Sequence, residues 1–462
     1  MMWASHCRLV ILMRNQSPPI RRVAPKGVCL LTLGCKLNQA DSEAIARDLA
    51  AAGCRVVDRP APADAYVINT CSVTHVAERK ARHLARLARR LAPGAPVVVT
   101  GCYVERAGPG WAGSVGADLI LRNDEKPSIA ARLAGGGNGR PAVAAGNVGS
   151  CPRAAPALRT RAFLKVQEGC NDVCAFCVVP RTRGRERSVP IAEVVRAIRA
   201  REAEGVREVV LTGTQLGAYL PDLETGSREN TAGSGAAVLL QAILAATAVP
   251  RLRLSSLQPR DVTPELLALW ENPRLCRHFH LALQSGSDAV LSRMRRRYTA
   301  GDFLRAVDLI RSRVPDAAIT TDVIAGFPGE TDGDFEETYA FCRRVAFAGL
   351  HVFPYSRRPG TAAAGMSEQV PEPVKRARVR RLLALALELR ADFETRFQGR
   401  VMPVLWESAR PAEGGLVWEG LTDNYVRVLA SSSTDLRNRI LPARLDGRRE
   451  ASGDLWAELV RV

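Results

Sequence analysis

The sequence lacks any long apolar stretch, and this absence narrows the class of protein. No run approaches the ~18 apolar residues that a membrane-spanning helix requires, so no membrane-embedded segment is predicted. The opening residues, 1–22, contain only the short run LVILM, with neither a full hydrophobic region nor a small-residue cleavage site. We therefore predict a cytoplasmic protein without a signal peptide, in which Met13 could equally be the start. No solenoid-type repeat is evident.

Acidic residues are also in short supply. Asp and Glu total 47 against 65 Lys and Arg, which gives a formal net charge of +18. This excess favours a polyanionic partner such as nucleic acid, although the arginine bias of a GC-rich genome is an alternative explanation. Aromatic residues make up only 5%, but hydrophobic residues reach 47% of a 462-residue chain. The composition therefore predicts a soluble globular protein of two to four domains with a sizeable core.

Twelve cysteines stand out in a chain without a secretory signal. In a reducing compartment they are not expected to form a disulfide framework. They are better explained as ligands, nucleophiles or small core residues. Their positions relative to the predicted strands therefore indicate which of these roles each cysteine has.

The apolar runs predict an α/β protein that ends in a β-rich segment. Strands at 27–35, 65–74 and 96–105 alternate with helices, and Ser42 is a candidate cap of the first helix. Further βα units predict a parallel sheet, open or closed into a partial barrel, with its chemistry at the carboxyl ends of the strands. Five short strands at the end predict a small OB-like β-barrel. The predicted segments are an extension expected to be disordered at 1–24, an N-terminal α/β domain at 25–133, a linker rich in Gly, Ala and Pro at 134–158, a central domain at 159–393 and a C-terminal domain at 394–462.

Three cysteines crowd the start of the central domain. Cys170, Cys174 and Cys177 are spaced as C-x3-C-x2-C. Three soft thiolates on one loop suit an iron–sulfur cluster or zinc, and a closed structural zinc site requires a fourth ligand. A cubane cluster held by three thiolates leaves one iron open to a small molecule. Incidental cysteines or a structural zinc site are the alternatives at this point.

Three more cysteines follow predicted strands of the N-terminal domain. Cys35, Cys71 and Cys102 each lie just past a strand end, where parallel strands of one sheet would bring them together. As a set they predict a second cluster, although a single cysteine in such a place is more often a small buried hydrophobe. We expect the other cysteines to be structural: Cys7, Cys29, Cys54, Cys151, Cys276 and Cys342.

The central loop, with Phe176 before its last cysteine, resembles the radical S-adenosylmethionine (radical SAM) superfamily. The resemblance implies that the open iron chelates S-adenosylmethionine, whose cleavage gives a 5′-deoxyadenosyl radical, and that Phe176 lies beside the adenine. The stretch LTGTQLG falls where the family has its cofactor-amine motif, but lacks the glutamate. Polar or glycine residues at later strand ends complete the expected cofactor site, although each alone is ordinary turn chemistry: Thr212, Gly213, Ser255, Gln284, Ser285, Gly326 and Gly329.

The phrases GCKLNQADSE, NTCSVT and GCY, followed by VQEGCNDVCAFCVVPRTRGRERS, resemble the radical SAM methylthiotransferases over roughly 27–462. This resemblance implies two [4Fe–4S] clusters, with the upstream cysteines binding the auxiliary cluster that carries the sulfur. It also implies S-adenosylmethionine, an electron donor of flavodoxin or ferredoxin type, and an RNA-binding TRAM domain at the β-rich end. GCYVER and CVVPRTRG depart from the sequences more usual in the family at these two places.

The resemblance implies a tRNA substrate, and LHVFPYSRRPGTAA looks most like the branch that acts on threonylcarbamoyladenosine beside the anticodon. Arg357 and Arg358 are then candidates for binding the threonylcarbamoyl carboxylate. Basic segments at 78–90 and 374–381 would suit the tRNA backbone, unless they are solvated helix faces. Isopentenyladenosine and a ribosomal-protein aspartate remain alternative substrates. A non-catalytic iron–sulfur RNA-binding protein is the more distant alternative.

Overall fold

The computed structural model describes residues 25–107, 116–134, 160–220, 234–412, 415–448 and 454–460. The predicted extension lies outside these residues, as does the predicted linker apart from Ala134. None of the described helices is long and apolar enough to cross a membrane. The described residues form two α/β units followed by a β-barrel, which confirms the predicted fold class.

The first unit is built on a five-stranded parallel sheet in the order β2-β1-β3-β4-β5. The central strand β3 is buried along its whole length, because helices cover both faces of the sheet. The strands are β1 Gly27–Thr32, β2 Arg55–Val57, β3 Ala65–Thr70, β4 Val97–Gly101 and β5 Leu119–Leu121. The three long strands were predicted from the sequence. Strands β2 and β5, which have only three residues each, were not.

Four α-helices accompany this sheet: α1 Lys36–Ala51, α2 His75–Leu91, α3 Cys102–Ala107 and α4 Ile129–Leu133. The candidate cap Ser42 was wrong, because α1 begins directly after Cys35 and Ser42 is buried within the helix. Its hydroxyl instead accepts hydrogen bonds from Thr32 Oγ1 (2.7 Å) and Asn69 Nδ2 (3.0 Å). Ser42 therefore ties the middle of α1 to the ends of β1 and β3.

The second unit is a partial barrel of six parallel strands, as predicted. Strands β6-β9-β10 and β11-β12-β13 form two three-stranded sheets, which parallel bridges from Leu252 to Leu275 and from Leu257 to Leu281 join. The strands, with the short ribbon β7-β8, are β6 Arg161–Lys165, β7 Gln167–Glu168, β8 Arg187–Ser188, β9 Glu208–Thr212, β10 Arg251–Leu254, β11 His278–His280, β12 Ala318–Ala325 and β13 Gly349–Pro354.

Helices pack on the outer face of this barrel. Phe279 and Ile319 of the strands share one apolar cluster with Phe303 and Ile310 of the helices. Because side chains alternate along a strand, His278, His280 and Asp322 face the inside of the barrel. The helices are α5 Val179–Thr182, α6 Ile191–Ala203, α7 Ser234–Ala246, α8 Pro264–Ala268, α9 Asp288–Arg293, α10 Ala300–Arg313, α11 Asp332–Val345 and α12 Glu372–Thr395. Short 3₁₀ turns are Asn123–Ser128, Leu216–Ala218, Pro259–Asp261, Leu269–Glu271 and Ala362–Gly365.

The third unit is a closed barrel with the strand order β14-β15-β16-β18-β17. Its five strands are β14 Val401–Ala412, β15 Gly415–Thr422, β16 Arg427–Ser431, β17 Ile440–Arg448 and β18 Leu455–Leu459. Trp406 is fully buried at its centre among alternating apolar residues of all five strands. All five strands predicted from the β-rich end of the sequence are present.

The third unit contacts one end of the partial barrel through buried arginines. Arg251 donates to the carbonyl oxygens of Leu421 (2.8 Å) and Pro403 (2.7 Å). The first unit covers the edge strand β6, where the backbone N–H of Phe163 donates to the Glu43 carboxylate at 3.0 Å. Helix α1, which begins directly after Cys35, is thereby fixed against the inside of the partial barrel.

Candidate active site

The central cysteine loop lies between β7 and α5 and is fixed by its backbone. Cys170 N–H donates to the Gly184 carbonyl at 3.1 Å, and Ala175 N–H donates to the Met294 carbonyl at 2.9 Å. Gly169 has φ +80, and a Cβ there would lie 1.9 Å from the Arg185 carbonyl oxygen. A side chain at this position would therefore open the loop, so its geometry depends on glycine.

The sulfurs of this loop accept hydrogen bonds. Cys170 Sγ accepts a hydrogen bond from the backbone N–H of Asp172 at 3.4 Å, and Cys177 Sγ accepts one from the backbone N–H of Val179 at 3.5 Å. Cys174 Sγ receives the guanidinium Nη1 of Arg296 at 3.1 Å. Burial raises the pKa of Cys170 to about 11 and that of Cys177 to about 12. A bound metal would have to displace these protons, and the N–H groups would then stabilise the sulfur charge.

The upstream cysteines lie at the carboxyl edge of the first sheet, at the ends of the neighbouring strands β1, β3 and β4. A Cβ at Gly34 would lie 2.7 Å from Cys71 Cβ and 2.9 Å from its Sγ, so the loops of Cys35 and Cys71 touch. Cys35 is exposed, Cys102 is half-buried and Cys71 is buried. Burial raises the pKa of Cys71 to about 12, and the nearby thiols of Cys35 and Cys102 contribute to the rise.

The donor sets fit a cluster better than a single ion. Among the described residues, no group of three His, Cys, Asp or Glu side chains could hold a metal ion as it stands. A mononuclear zinc site requires thiolates about 2.3 Å from one metal, whereas a cubane spreads its irons over a larger core and accepts more widely spaced thiols. Each triad supplies three soft thiols, the number that a cubane with one open iron would take from the protein.

Arg183 joins the upstream triad to the second unit. It follows the central loop by six residues, and its Nε donates to Cys102 Sγ at 3.2 Å. Its Nη1 donates to Glu168 of the second unit at 2.6 Å and to Asp41 of the first unit at 2.7 Å, and its Nη2 donates to Asn38. The side chain is 2% exposed. One buried guanidinium therefore contacts a cysteine of the upstream triad and acidic groups of both units.

Asp41 is the centre of the charges around Arg183. Its carboxylate also binds Lys126 at 2.6 Å and Lys165 at 2.8 Å. Burial by itself would raise the pKa of Asp41, but Lys126, Arg183 and Lys165 together hold it far below its usual range. The carboxylate is thus charged at any physiological pH, and it binds cations from both units.

The predicted cofactor residues line the carboxyl ends of the strands to different degrees. Thr212 is buried at the end of β9, and a Cβ at the next residue, Gly213, would lie only 2.9 Å from the Leu216 side chain and 3.0 Å from that of Gln167. Ser255 is buried just past β10, and its hydroxyl has no hydrogen-bond partner among the described residues. Phe176 is half-buried and meets Phe327 edge-on at 6.4 Å. Of this group, Ser255 is the one with an uncommitted polar atom.

The structure gives the remaining predicted cofactor residues other contacts. Ser285 Oγ is hydrogen-bonded to Thr338 Oγ1 at 3.0 Å on α11. A Cβ at Gly326 would lie 2.3 Å from the Lys375 side chain, and one at Gly329 would lie 2.8 Å from Glu368. Both glycines have positive φ. Side chains of the protein itself, and not open space for a cofactor, therefore lie beside both glycines. Gln284 is also in the left-handed region, at φ 70, where its backbone pairs with β12.

The two arginines proposed for the substrate differ in setting. Arg357 is exposed, and its Nε donates to the Ala364 carbonyl at 2.7 Å. Arg358 is buried and its Nη1 binds the Glu78 carboxylate of α2 at 2.6 Å, close to the Ser72 carbonyl. Arg358 therefore joins the first and second units, and its charge is already paired.

The two basic segments also differ. In α2, Arg79, Lys80, Arg86 and Arg90 are exposed, and none of them pairs with an acidic side chain among the described residues. Segment 374–381 is less open. Its Lys375 is buried with its Nζ bonded to Glu372 at 2.6 Å, and its Arg378 is buried against Glu330 at 2.6 Å. The α2 face is thus the larger uncompensated cationic surface of the two.

Sequence reasoning missed a polar cluster inside the partial barrel. We define the lumenal cluster as Lys36, His280, Asp322, His351 and Tyr425. Asp322 and His351 are opposite residues of β12 and β13, and His280 Nε2 lies 3.3 Å from Asp322 Oδ2. The repeated histidine in HFHLALQ was a signal, because alternate residues of a strand share a face. Lys36 gave no separate signal, since it stands inside the motif that the cysteines define.

Comparisons with known proteins agree with this division of the chain. The model of the Radical SAM superfamily matches residues 164–342, and that of Uncharacterized protein family UPF0004 matches residues 27–121. Among solved structures, the radical S-adenosylmethionine methyltransferase TsrM from Kitasatospora setae has a TM-score of 0.50 and 16% identity, covering 73% of this chain and 74% of that one. This likeness concerns the fold alone.

Curated relatives are similar over almost the whole chain. The threonylcarbamoyladenosine tRNA methylthiotransferase MtaB of Bacillus subtilis is 35% identical, covering 90% of this chain and 93% of that protein. MtaB of Thermotoga maritima is 38% identical, covering 83% and 87%. The tRNA-2-methylthio-N(6)-dimethylallyladenosine synthase of Sorangium cellulosum is also 38% identical, covering 94% and 93%. Such identity over both cysteine-bearing units shows that this chain belongs to the radical SAM methylthiotransferases.

Proposed function

We propose that this enzyme converts N-threonylcarbamoyladenosine beside the anticodon of tRNA into its 2-methylthio derivative. The observation that carries the chemistry is the pair of cysteine triads, one in each α/β unit, with Arg183 bonded both to Cys102 of the upstream triad and to Glu168 just before the central loop. Relatives named for tRNA methylthiolation support a tRNA substrate. They include enzymes named for both adenosine derivatives. The choice between the derivatives therefore rests on the space beside the lumenal cluster, which we call the chamber and propose as the place of the adenosine substituent.

The chamber favours the threonylcarbamoyl group. The lumenal cluster is polar, with an ammonium, a carboxylate and two imidazoles. A dimethylallyl substituent placed there would bury polar groups against an apolar surface, which is unfavourable unless they keep their hydrogen bonds. A threonylcarbamoyl substituent carries a carboxylate, a hydroxyl and N–H groups that match them. Exposed Arg357 stays a proposed second contact for that carboxylate.

Membership of the radical SAM family implies one [4Fe–4S] cluster and S-adenosylmethionine. When bound, they supply a radical able to remove hydrogen from the adenine carbon between two ring nitrogens, which no side-chain base could deprotonate. In the proposal, Cys170, Cys174 and Cys177 hold this cluster, and Arg296 supports the thiolate of Cys174. The uncommitted hydroxyl of Ser255 is available to the cofactor. An electron donor of flavodoxin or ferredoxin type belongs to the same proposal.

The sulfur would be supplied through the upstream triad. We assign Cys35, Cys71 and Cys102 to an auxiliary [4Fe–4S] cluster, since these three thiols converge at one edge of the sheet. The task of the protein is then to hold cofactor, auxiliary cluster and adenine in line at contact distance. Reconstituted enzyme should contain close to eight irons per chain; about four would remove the auxiliary cluster and the methylthiotransfer mechanism with it.

The exposed cations of α2 are proposed to contact the tRNA backbone, together with the C-terminal barrel as an RNA-binding TRAM domain. Each phosphate contact adds affinity that salt weakens. Arg79, Lys80, Arg86 and Arg90 face solvent without acidic partners among the described residues, as such contacts require. The net charge of +18 agrees with a polyanionic partner.

Mass spectrometry of tRNA nucleosides from a deletion strain tests the substrate. We expect 2-methylthio-threonylcarbamoyladenosine to disappear and its unmethylthiolated precursor to accumulate, and a plasmid copy of the gene should restore the product. If that nucleoside persists while the isopentenyl derivative loses its methylthio group, the substrate proposal is wrong. Enzyme with both clusters that releases no 5′-deoxyadenosine with dithionite and S-adenosylmethionine would instead indicate a binding protein.

A further inference from the structure

The ammonium group of Lys36 has no counterion among the described residues, whereas Asp322 of the same lumenal cluster is paired with His280. Lys36 is the first residue of α1, directly after Cys35, and it is half-buried. Its Nζ lies 5.9 Å from the ring centroid of Tyr425, and it forms no hydrogen bond or ion pair with any residue that the structure describes. By contrast, the buried Lys126 and Lys375 each bind a carboxylate at 2.6 Å. Cations removed from water are normally paired, and none of the described residues pairs with Lys36, which leaves its charge available to a ligand.

The groups around Lys36 are fixed by contacts that leave Lys36 out. The Tyr425 ring stacks on His278 at 4.1 Å, and the Arg253 guanidinium lies 5.0 Å from the same ring. His278 Nε2 and His280 Nδ1 both bond to Thr320 Oγ1, at 2.9 and 3.0 Å. Arg253 is itself paired with a buried glutamate. The side chains around Lys36 are therefore held in place by one another and not by Lys36, as expected if the partner of Lys36 is a ligand.

The carboxylate nearest in the cluster is already engaged. Asp322 is within electrostatic range of Lys36, but its Oδ2 is 3.3 Å from His280 Nε2, and no ion pair to Lys36 forms. His351 is exposed, and Phe353 lies two residues further along β13 on the same face and is 37% exposed. The chamber is therefore open to solvent along β13, which leaves an entrance for a nucleoside.

The position of Lys36 beside Cys35 identifies the kind of ligand. In the proposed reaction the adenine carbon that receives sulfur must approach the auxiliary cluster. Only one ring nitrogen separates that carbon from the carbon that bears the substituent, so the substituent must lie close to the same cluster, beside Cys35. The side chain of Lys36 extends from the residue after Cys35 to 5.9 Å from the Tyr425 ring centroid, so its ammonium lies where that substituent would be. Of the two substituents considered, only the threonylcarbamoyl group carries an anion.

We propose that Lys36 is the specificity-determining residue that binds the carboxylate of the threonylcarbamoyl group, with Asp322 accepting a hydrogen bond from an N–H or hydroxyl of the same substituent. This inference rests on the proposed substrate. An ammonium–carboxylate bond in a partly desolvated site is charge-assisted, and its loss should weaken binding about tenfold or more. Lys36 thus distinguishes a modified adenosine from an unmodified one.

Equilibrium binding of two tRNAs to the reconstituted enzyme tests this role. The tRNAs are one transcript with threonylcarbamoyladenosine at the site and the same transcript with plain adenosine. Wild-type enzyme should prefer the modified tRNA, and Lys36→Met, which keeps the stem but removes the charge, should lose about tenfold or more of that preference. Its iron content should stay at the wild-type level, which shows that the fold and the neighbouring Cys35 are intact.

Lys80→Met is the matched control, because Lys80 is exposed on α2 and is proposed to contact phosphate. It should weaken both tRNAs equally. An equal loss for both tRNAs in Lys36→Met would overturn the inference and make Lys36 a phosphate contact, and an unchanged preference would overturn it too. If wild-type enzyme shows no preference between the tRNAs, the proposed substrate itself fails. The two failures are therefore distinguishable.

Discussion

A methyl group added at Gly34 tests whether the upstream triad holds a cluster. Gly34 has φ +104, a conformation that costs another residue about 1–3 kcal/mol. The added Cβ would also lie 2.7 Å from Cys71 Cβ and 2.9 Å from Cys71 Sγ, closer than such atoms approach in proteins. Because β3 is buried along its length, Cys71 has little room to retreat, and overpacking of this kind costs about 1–3 kcal/mol more.

Gly53 provides a matched control in the same unit. It has φ +84, but an added Cβ would meet nothing within 4 Å. Gly53→Ala should therefore cost only the backbone strain, whereas Gly34→Ala should also displace the Cys71 thiol. We expect about eight irons per chain in Gly53→Ala and about four in Gly34→Ala, with 5′-deoxyadenosine still released by both. A Gly34→Ala enzyme that keeps about eight irons and wild-type methylthiolation would refute this reasoning.

Two further predictions concern charge. The cations around Asp41 hold its folded pKa below the unfolded value of about 3.9, so its stabilising contribution is complete above that pH and is lost as pH falls toward the folded pKa. Unfolding followed between pH 5 and 3 should show this loss, and Asp41→Asn should weaken the slope while lowering stability at pH 7. For α2, Lys80→Gln with Arg86→Gln should reduce the slope of log binding constant against log salt by about 1–2; an unchanged slope would exclude these contacts.

The strands and both triads could be predicted because local patterns determine them. Apolar runs such as 65–70 form buried strands in any parallel sheet, and residues that follow neighbouring strands meet at one edge. The ends of β1, β3 and β4 therefore brought Cys35, Cys71 and Cys102 to one edge without knowledge of the loops. Strands of three residues, such as β2 and β5, carry too little pattern and depend on the neighbouring strand for their formation.

The roles of individual cations could not be predicted in this way. Arg358 and its partner Glu78 are 280 residues apart, and Arg378 is buried by a partner 48 residues away. In the sequence, each resembles the exposed cations of α2. Lys36 shows the reverse case, since it stands in the same helix as the paired Asn38 and Asp41 but finds no acidic partner itself among the described residues. Whether a cation is paired depends on which distant elements pack together, and a local pattern does not contain that information.

Substitution of Arg183 tests how the upstream triad is positioned against the second unit. Buried ion pairs contribute little net stability, but removing one partner commonly costs about 3–5 kcal/mol because the other charge is left uncompensated. In Arg183→Gln, Asp41 would keep Lys126 and Lys165, so the cost should fall near the lower end of this range. Cys102 would lose its 3.2 Å N–H···S contact, and Glu168 of the second unit would lose the cation that joins it to the upstream triad. Because sulfur transfer requires contact between partners on separate units, Arg183→Gln should release 5′-deoxyadenosine at near the wild-type rate but form about tenfold less methylthio product. Equal losses of both products would mean that Arg183 supports the fold alone, since a general weakening has no reason to spare the radical step.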